Sequence, residues 1–506
     1  MTLDCLFINP DSSLKAYQGL SSKYSAIEPP TWALLLAESC RVKKFKVGIL
    51  DCCAEALNLD QSVQRINALS PRIALFVVYG QNPNAGTTSM IGATELALEL
   101  KSQHPDIHVC FVGSHVSALP REVITLPFVD TILLNEGVYA LHNLLASDLQ
   151  SDLSSIRGIA WKDDAGASVL NDPEVIVPQE RMVLDLPGYA WDLLPYRERP
   201  LDLYRSHVWH GNFNEEMRTP YAAIYTSLGC IYGCEFCMIN ILNRVDNSEG
   251  VSSGDSRVMR FWSVEWVLNQ FQQLHDMGVT TIRISDEMFL LNHRYYVPIC
   301  EGIVERGLKL HMWAYSRVDT VRDSLLELVY AAGIKWLALG IEAGSQVVRR
   351  EISKGSFKDT NVRDIVNLIR SYDISVISNF IVGFPDDDFE SMTSTLNLAL
   401  ELNSEMINIY PCQALPGSPL HVRAQLEGWD LPSTYEEYAF LAYETKPLPT
   451  KHLTNQQVLA FRDYFWKTYF TNPAYLELVE AKFGRPQRDN VVEMASFNLK
   501  RAILSD

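Results

Sequence analysis

Short apolar runs, spaced as strands separated by helical stretches, recur along this chain in two blocks. That alternation confines the fold to α/β layers built on parallel sheets. In residues 1–150 the runs fall at 3–9, 46–50, 73–79, 109–112 and 131–134. Most are short and apolar, as strands covered on both faces require. Five such strands predict a flavodoxin-like doubly wound sheet, in which ligands sit beyond the carboxyl ends of the strands. Those ends carry Asn9-Pro10, Asp51-Cys52, Tyr79-Gly80-Gln81-Asn82, Gly113-Ser114-His115 and Asn135-Glu136-Gly137. Ordinary turn chemistry explains any one of them; small and polar residues at all five predict a ligand site.

The pattern loosens over 151–215, which reads as a connection with some strand content. It resumes with runs at 221–227, 281–285, 308–316, 335–341, 374–380 and 406–410, and with helices at 264–277, behind Ser263 as N-cap, and at 363–372. Six β/α units over 216–427 predict a partial, TIM-like (β/α)6 barrel with its chemistry at the strand carboxyl ends. Residues 428–506 read as a mainly helical region, with aromatic stretches such as 461–470, that closes the barrel mouth and offers no ligand.

A formal net charge of −18 opposes phosphate backbones, so nucleic acid is not expected as a partner. No apolar run reaches the ~20 residues needed to span a bilayer, so no membrane association is expected. The opening MTLDCLFINP has Asp4 within its apolar run and no basic segment before it. It reads as the first strand of a cytoplasmic protein rather than a signal peptide.

Of the ten cysteines, 5, 40, 52, 53, 110, 300 and 412 are scattered, while Cys230, Cys234 and Cys237 crowd into eight residues directly after a barrel strand. Cys–x3–Cys–x2–Cys sets three thiolates on one tight loop. A cubane iron–sulfur cluster ordinarily takes four thiolates, so three local ligands leave one iron open. The alternatives are a zinc site, which prefers paired C-x2-C knuckles or histidine ligands, and an inert turn.

The segment Ser227-Leu-Gly-Cys230-Ile-Tyr-Gly-Cys234-Glu-Phe236-Cys237 resembles the cluster-binding loop of radical SAM enzymes. The resemblance implies a 4Fe-4S cluster whose open iron chelates S-adenosylmethionine and cleaves it reductively to a 5′-deoxyadenosyl radical, with Phe236 against the adenine. It continues in order through Ser285-Asp286-Glu287-Met288-Phe289, Tyr315-Ser316-Arg317, Gly340-Ile341-Glu342-Ala343-Gly344-Ser345 with Lys354-Gly355, Gly383-Phe384-Pro385 and Pro416-Gly417-Ser418-Pro419. It spans about 221–426 and implies that Asp286, Glu287, Ser316, Arg317 and Glu342 contact the cofactor. The acidic element at 285–289 departs from the family's usual glycine-rich form.

The front half resembles the cobalamin-binding domain fused to a subgroup of these enzymes, through 111–120 and 129–137. Gly113 and Gly137 would admit the nucleotide tail, Ser117 would hydrogen-bond it, and Glu136 belongs to the same segment. Tyr79 and Gln81 begin a loop, running to Asn84, expected beneath the corrin. Many such domains place a histidine two residues after an aspartate as the lower cobalt ligand; Asp51-Cys52-Cys53 has none. The implied activity is a cobalamin-dependent radical SAM methyltransferase acting on an unactivated carbon or phosphorus of a small molecule, supplied with electrons by a donor such as flavodoxin or ferredoxin. A non-methylating cyclase or rearrangement enzyme of the same architecture, and a cobalamin or redox sensor, are the alternatives. The acidic charge and the single cysteine triplet disfavour an RNA methylthiotransferase.

Overall fold

Two parallel sheets organise the chain. The computed structural model describes residues 2–80, 82–147, 149, 153–206, 219–244, 246, 257–351 and 361–505. The first sheet contains β1 (Leu3–Asn9), β2 (Val47–Asp51), β3 (Pro71–Val78), β4 (His108–Gly113), β5 (Thr131–Leu133), β6 (Ile159–Lys162) and β7 (Ser168–Leu170). Its order is β2-β1-β3-β4-β5-β6-β7. The first five strands are parallel in the doubly wound order expected of the sequence, with the switch point between β1 and β3. An antiparallel hairpin, β6 and β7, extends this sheet from the connecting segment. Helices cover both faces. One of them, Thr31–Val42, starts directly behind Pro29-Pro30, where a proline's fixed φ suits the approach to a helix.

The second sheet is the partial barrel, built from β8 (Tyr221–Ile224), β11 (Thr281–Ile284), β12 (His311–Arg317), β13 (Ile334–Glu342), β14 (Ser375–Val382) and β15 (Met406–Pro411). All its strands are parallel, in the order β15-β14-β13-β12-β11-β8. Helices Val264–Asp276 and Val362–Ser371 lie where the periodicity places them. The expected strand at 221–227 does not run through. It stops at Ile224, and β9 (Ser227–Gly229) pairs antiparallel with β10 (Met259–Phe261) in a separate ribbon. The break has a polar cause. The Tyr225 amide donates to the Tyr189 hydroxyl at 2.8 Å and the Thr226 amide to the Asp286 carboxylate at 2.6 Å, which removes both from the ladder.

The region after 428 is irregular until helices Asn455–Phe470, Pro473–Phe483 and Arg485–Ser496, apart from a short turn at Glu436–Tyr438. The first of these helices covers the open edge at β15: Arg462 Nε donates to the Ile409 carbonyl at 3.0 Å and the Tyr469 hydroxyl to the Ser404 carbonyl at 2.6 Å. The same region also reaches the front half, through Gln18 Nε2 to the Leu441 carbonyl at 2.8 Å and Lys23–Glu493 at 2.7 Å. No described helix is long and apolar enough to cross a membrane.

Glu405, buried just before β15, ties the barrel's lower side together. Its carboxylate accepts from the Val376 amide at 2.9 Å, Lys482 Nζ at 3.0 Å and Arg370 Nε at 3.1 Å. Burial works against the charge, but Arg370 and Lys482 outweigh it and hold the carboxyl below the usual glutamate range. Its contribution to stability is therefore complete at neutral pH and is lost as pH falls below that range. Glu405→Ala strands two cations and an amide, and should cost roughly 3–5 kcal/mol in urea denaturation at pH 7 without changing cofactor content.

Candidate functional site

The carboxyl ends of the two sheets face each other across a cavity. Trp32, Tyr79 and Glu136 line it from the front, and Tyr225, Arg260 and Glu287 from the barrel side. Tyr79 stacks on Trp32 with ring centroids 5.4 Å apart and meets Tyr225 edge-on at 6.4 Å.

The cysteine loop leaves the barrel through a turn shaped by three devices. Asp286 accepts from the Thr226 amide and hydroxyl, both at 2.6 Å, and from the Ser227 hydroxyl at 2.5 Å, which fixes the loop's base. Gly229 has φ +87°, and a Cβ there would lie 2.0 Å from the Val258 carbonyl oxygen. Asn240 brackets the first cysteine, accepting from the Cys230 amide and donating to its carbonyl, each at 2.9 Å.

Cys230, Cys234 and Cys237 are near enough to one another to interact electrostatically. Burial chiefly, with Glu287 and Cys234 adding to it, pushes the Cys230 thiol up to about 12, and Cys237 is raised well above its ordinary range. Buried thiols that cost this much to ionise become thiolates when a cation compensates them. Among the described residues no three His, Cys, Asp or Glu side chains converge as a single ion needs. A cubane asks for a different arrangement, each thiolate on its own iron, and the donor set fits it.

Other predicted cofactor contacts surround this loop. Phe236 meets Phe384 at 5.6 Å, so the residue before the third cysteine packs on the fifth-strand motif. Asp387, which the sequence did not single out, shapes that motif by accepting from the Gly383 and Phe384 amides, each at 2.9 Å. Arg317 lies 4.1 Å over the Tyr232 ring and pairs with Asp319 at 2.8 Å. Ser316 shares a hydrogen bond with Thr320 at 2.9 Å. Glu342 ends β13, where the register shifts, with φ +67°, a left-handed conformation that costs a glutamate energy. Glu287 lines the cavity, and burial chiefly raises its carboxyl to about 8. Its neighbour Asp286 is fully engaged at the loop base. Lys354 and Gly355 lie outside the described residues, as does Gln81.

At the front sheet, Ser117 Oγ donates to the Gly113 carbonyl at 2.9 Å and accepts from the Asn135 amide at 2.8 Å, which joins the two loops. Gly113 has φ +152° and Gly137 φ +73°. A Cβ on Gly113 would stand 2.0 Å from the Val78 carbonyl oxygen, so this close approach of β3 and β4 admits only glycine. Gly113→Ala should separate the strand ends and abolish cobalamin binding, read as loss of the cobalamin absorbance after reconstitution, while iron is retained. Glu136 and Arg260, both almost fully buried, form an ion pair at 2.8 Å across the cavity wall. Glu136 also accepts from the Val177 amide through its other oxygen, so both oxygens of this carboxylate are engaged. Asp51 is held by Asn9 at 2.8 Å and the Tyr204 hydroxyl at 2.9 Å, and Cys52 packs in the front core. His115 is bound to Thr87 at 3.0 Å and lies 3.2 Å from Glu122, so both its nitrogens are engaged.

Residues 224–399 match the family model of the radical SAM superfamily, and residues 17–145 that of the B12 binding domain. An uncharacterized methyltransferase of Pyrococcus horikoshii is 25% identical over 478 residues, 94% of this chain and 92% of that protein. An anaerobic magnesium-protoporphyrin IX monomethyl ester cyclase of Rubrivivax gelatinosus is 24% identical over 480 residues, 92% of this chain and 78% of that one. Among solved structures, the radical S-adenosylmethionine methyltransferase TsrM of Kitasatospora setae, with cobalamin and a [4Fe-4S] cluster bound, superposes with a TM-score of 0.63 at 16% identity. That match covers 87% of this chain and 81% of the other and shows a shared fold.

Proposed function

The chain belongs to the cobalamin-dependent radical SAM enzymes, and from that premise we propose that it methylates an unactivated carbon or phosphorus centre of a small molecule. The observation that carries the proposal is a cavity lined from both halves of the chain, with Tyr79 and Glu136 on one side and Leu228, Gly229 and Glu287 on the other. When bound, the cluster supplies the electron that cleaves S-adenosylmethionine, and cobalamin carries a methyl group.

The residues divide the remaining work. Cys230, Cys234 and Cys237 hold the cluster. Phe236 and Phe384 form an apolar wall for the adenine, while Ser316, Arg317, Glu342 and Glu287 offer polar contacts to the rest of S-adenosylmethionine. Asp286 positions the loop and does not touch the ligand. Gly113, Ser117 and Gly137 admit the cobalamin tail, and Tyr79 and Glu136 bound the corrin. The sheet faces and the aromatic pair Trp32–Tyr79 exclude water from the space between. Electrons come from an external donor such as flavodoxin or ferredoxin. The name of the Pyrococcus relative, matched along nearly the whole chain, supports methyl transfer.

The test is turnover with S-adenosylmethionine deuterated in its methyl group, using candidate metabolites drawn from genomic neighbours. A product heavier by one CD3 group is expected. Turnover of a substrate with no gain of a methyl group would overturn methylation in favour of cyclisation or rearrangement. A sensor would turn over neither.

A further inference from the structure

The loop after β3, expected beneath the corrin, also reaches the cysteine loop. Asn84 Oδ1 accepts from the Met238 amide at 3.0 Å, and Cys237 Sγ lies 3.7 Å from Asn84 Nδ2 and 3.8 Å from Oδ1. The orientation of this carboxamide is not arbitrary. A backbone N–H can only donate, so the amide oxygen must face Met238, and of the two carboxamide atoms near the sulfur only the NH2 group can donate to a thiolate.

The loop is also anchored at its other side. Asn82 Oδ1 accepts from the Asn84 amide at 3.0 Å, and Ser114 Oγ donates to the Pro83 carbonyl at 2.6 Å. Gly86 admits that contact, since a Cβ there would lie 2.0 Å from Ser114 Oγ. Ser114 directly follows Gly113. A short chain of contacts thus runs from the segment assigned to the cobalamin tail, through Pro83 and Asn84, to the third cysteine.

We propose that Asn84 is a positioning residue that gives the cluster a hydrogen bond from the cobalamin-binding half, so that the front domain sets the cluster's reduction potential. The inference rests on the cluster assignment above. As an iron ligand, Cys237 is a thiolate and can only accept. An N–H directed at a cluster sulfur favours the reduced, more negative state and raises the potential. Removing that donor makes reduction harder.

The test is an anaerobic redox titration of the full-length, cobalamin-loaded protein, followed by electron paramagnetic resonance at matched iron content, with Asn84→Ala and Asn84→Asp beside the wild type. Asn84→Asp has the same shape and still accepts from Met238, but places an anionic acceptor where the donor stood. Both variants should titrate at a more negative potential than the wild type, Asn84→Asp the further. A merely structural role would leave the midpoint unmoved in any variant with a full cluster, and an unchanged midpoint in Asn84→Asp would overturn the proposal. If Asn84→Ala fails to keep its iron, Asn84→Asp decides alone. A wild type that takes up no cluster would overturn the cluster assignment, and this inference with it.

Discussion

Cys234→Ala protein is expected to purify folded and to hold no stable cluster after anaerobic reconstitution. Cys234 lies on the half-buried outer turn of its loop, where the Cys237 amide donates to its carbonyl at 3.1 Å, and a backbone bond survives loss of the thiol. The cluster does not survive it. Wild-type protein should carry about four irons per chain, each local thiolate fixing one corner. With two thiolates left, iron should fall to background. Deoxyadenosine formation should fall by far more than the ~10–100-fold typical for loss of an outer-shell partner of a metal site. Cys52→Ala is the control, since Cys52 packs in the front core away from this loop and its removal should leave iron unchanged. The measurement is iron and sulfide content with quantified deoxyadenosine; cleavage of S-adenosylmethionine by Cys234→Ala would remove the assignment.

The second large effect belongs to Asp286→Ala. This carboxylate is fully enclosed and accepts from Thr226 twice and Ser227 once. Burial pushes its pKa up, against those bonds, which lower it. Alanine leaves three donors unpaired in the interior at the point where β8 gives way to the cysteine loop. We expect a loss of about 3–5 kcal/mol of stability, at the lower end of the sum of three independent bonds at ~1–3 kcal/mol each because they share one acceptor. Iron retention should fall with it. Urea denaturation together with iron content decides between the two roles open to this residue. Full iron with weakened S-adenosylmethionine binding would make Asp286 a ligand; lost stability with lost iron makes it the clamp described above.

The contrast between Asp286 and Glu287 shows what a sequence can and cannot reveal. Adjacent acidic residues after a strand were legible as one polar element at a strand end. Which of them faces the cavity depends on Thr226 and Ser227, some sixty positions earlier in the chain, and no local pattern encodes that. The strands were legible because burial on both faces leaves an apolar run; β1 and β15 begin where the pattern begins. The strand expected across 221–227 failed because apolar content says nothing of two amides drawn off by Tyr189 and Asp286. The cysteine triplet stood out because its spacing crowds three thiols onto one loop, whereas Phe236 was marked only by the family resemblance. Arg260 was not: it sits on a ribbon strand, and its partner Glu136 belongs to the other sheet. Asn84 lay within a loop already marked for the corrin, and only the fold turns it toward Cys237.

Two cofactors in one chain make a demand that can be measured before any substrate is known. Anaerobically reconstituted protein with a full cluster is given S-adenosylmethionine and a low-potential reductant, with cobalamin supplied or withheld, and deoxyadenosine and S-adenosylhomocysteine are quantified together. Both products should form in the cobalamin-loaded protein, and S-adenosylhomocysteine alone should disappear when cobalamin is withheld. S-adenosylhomocysteine formed equally without cobalamin, or no deoxyadenosine from a protein with its full complement of iron, would contradict the assignment.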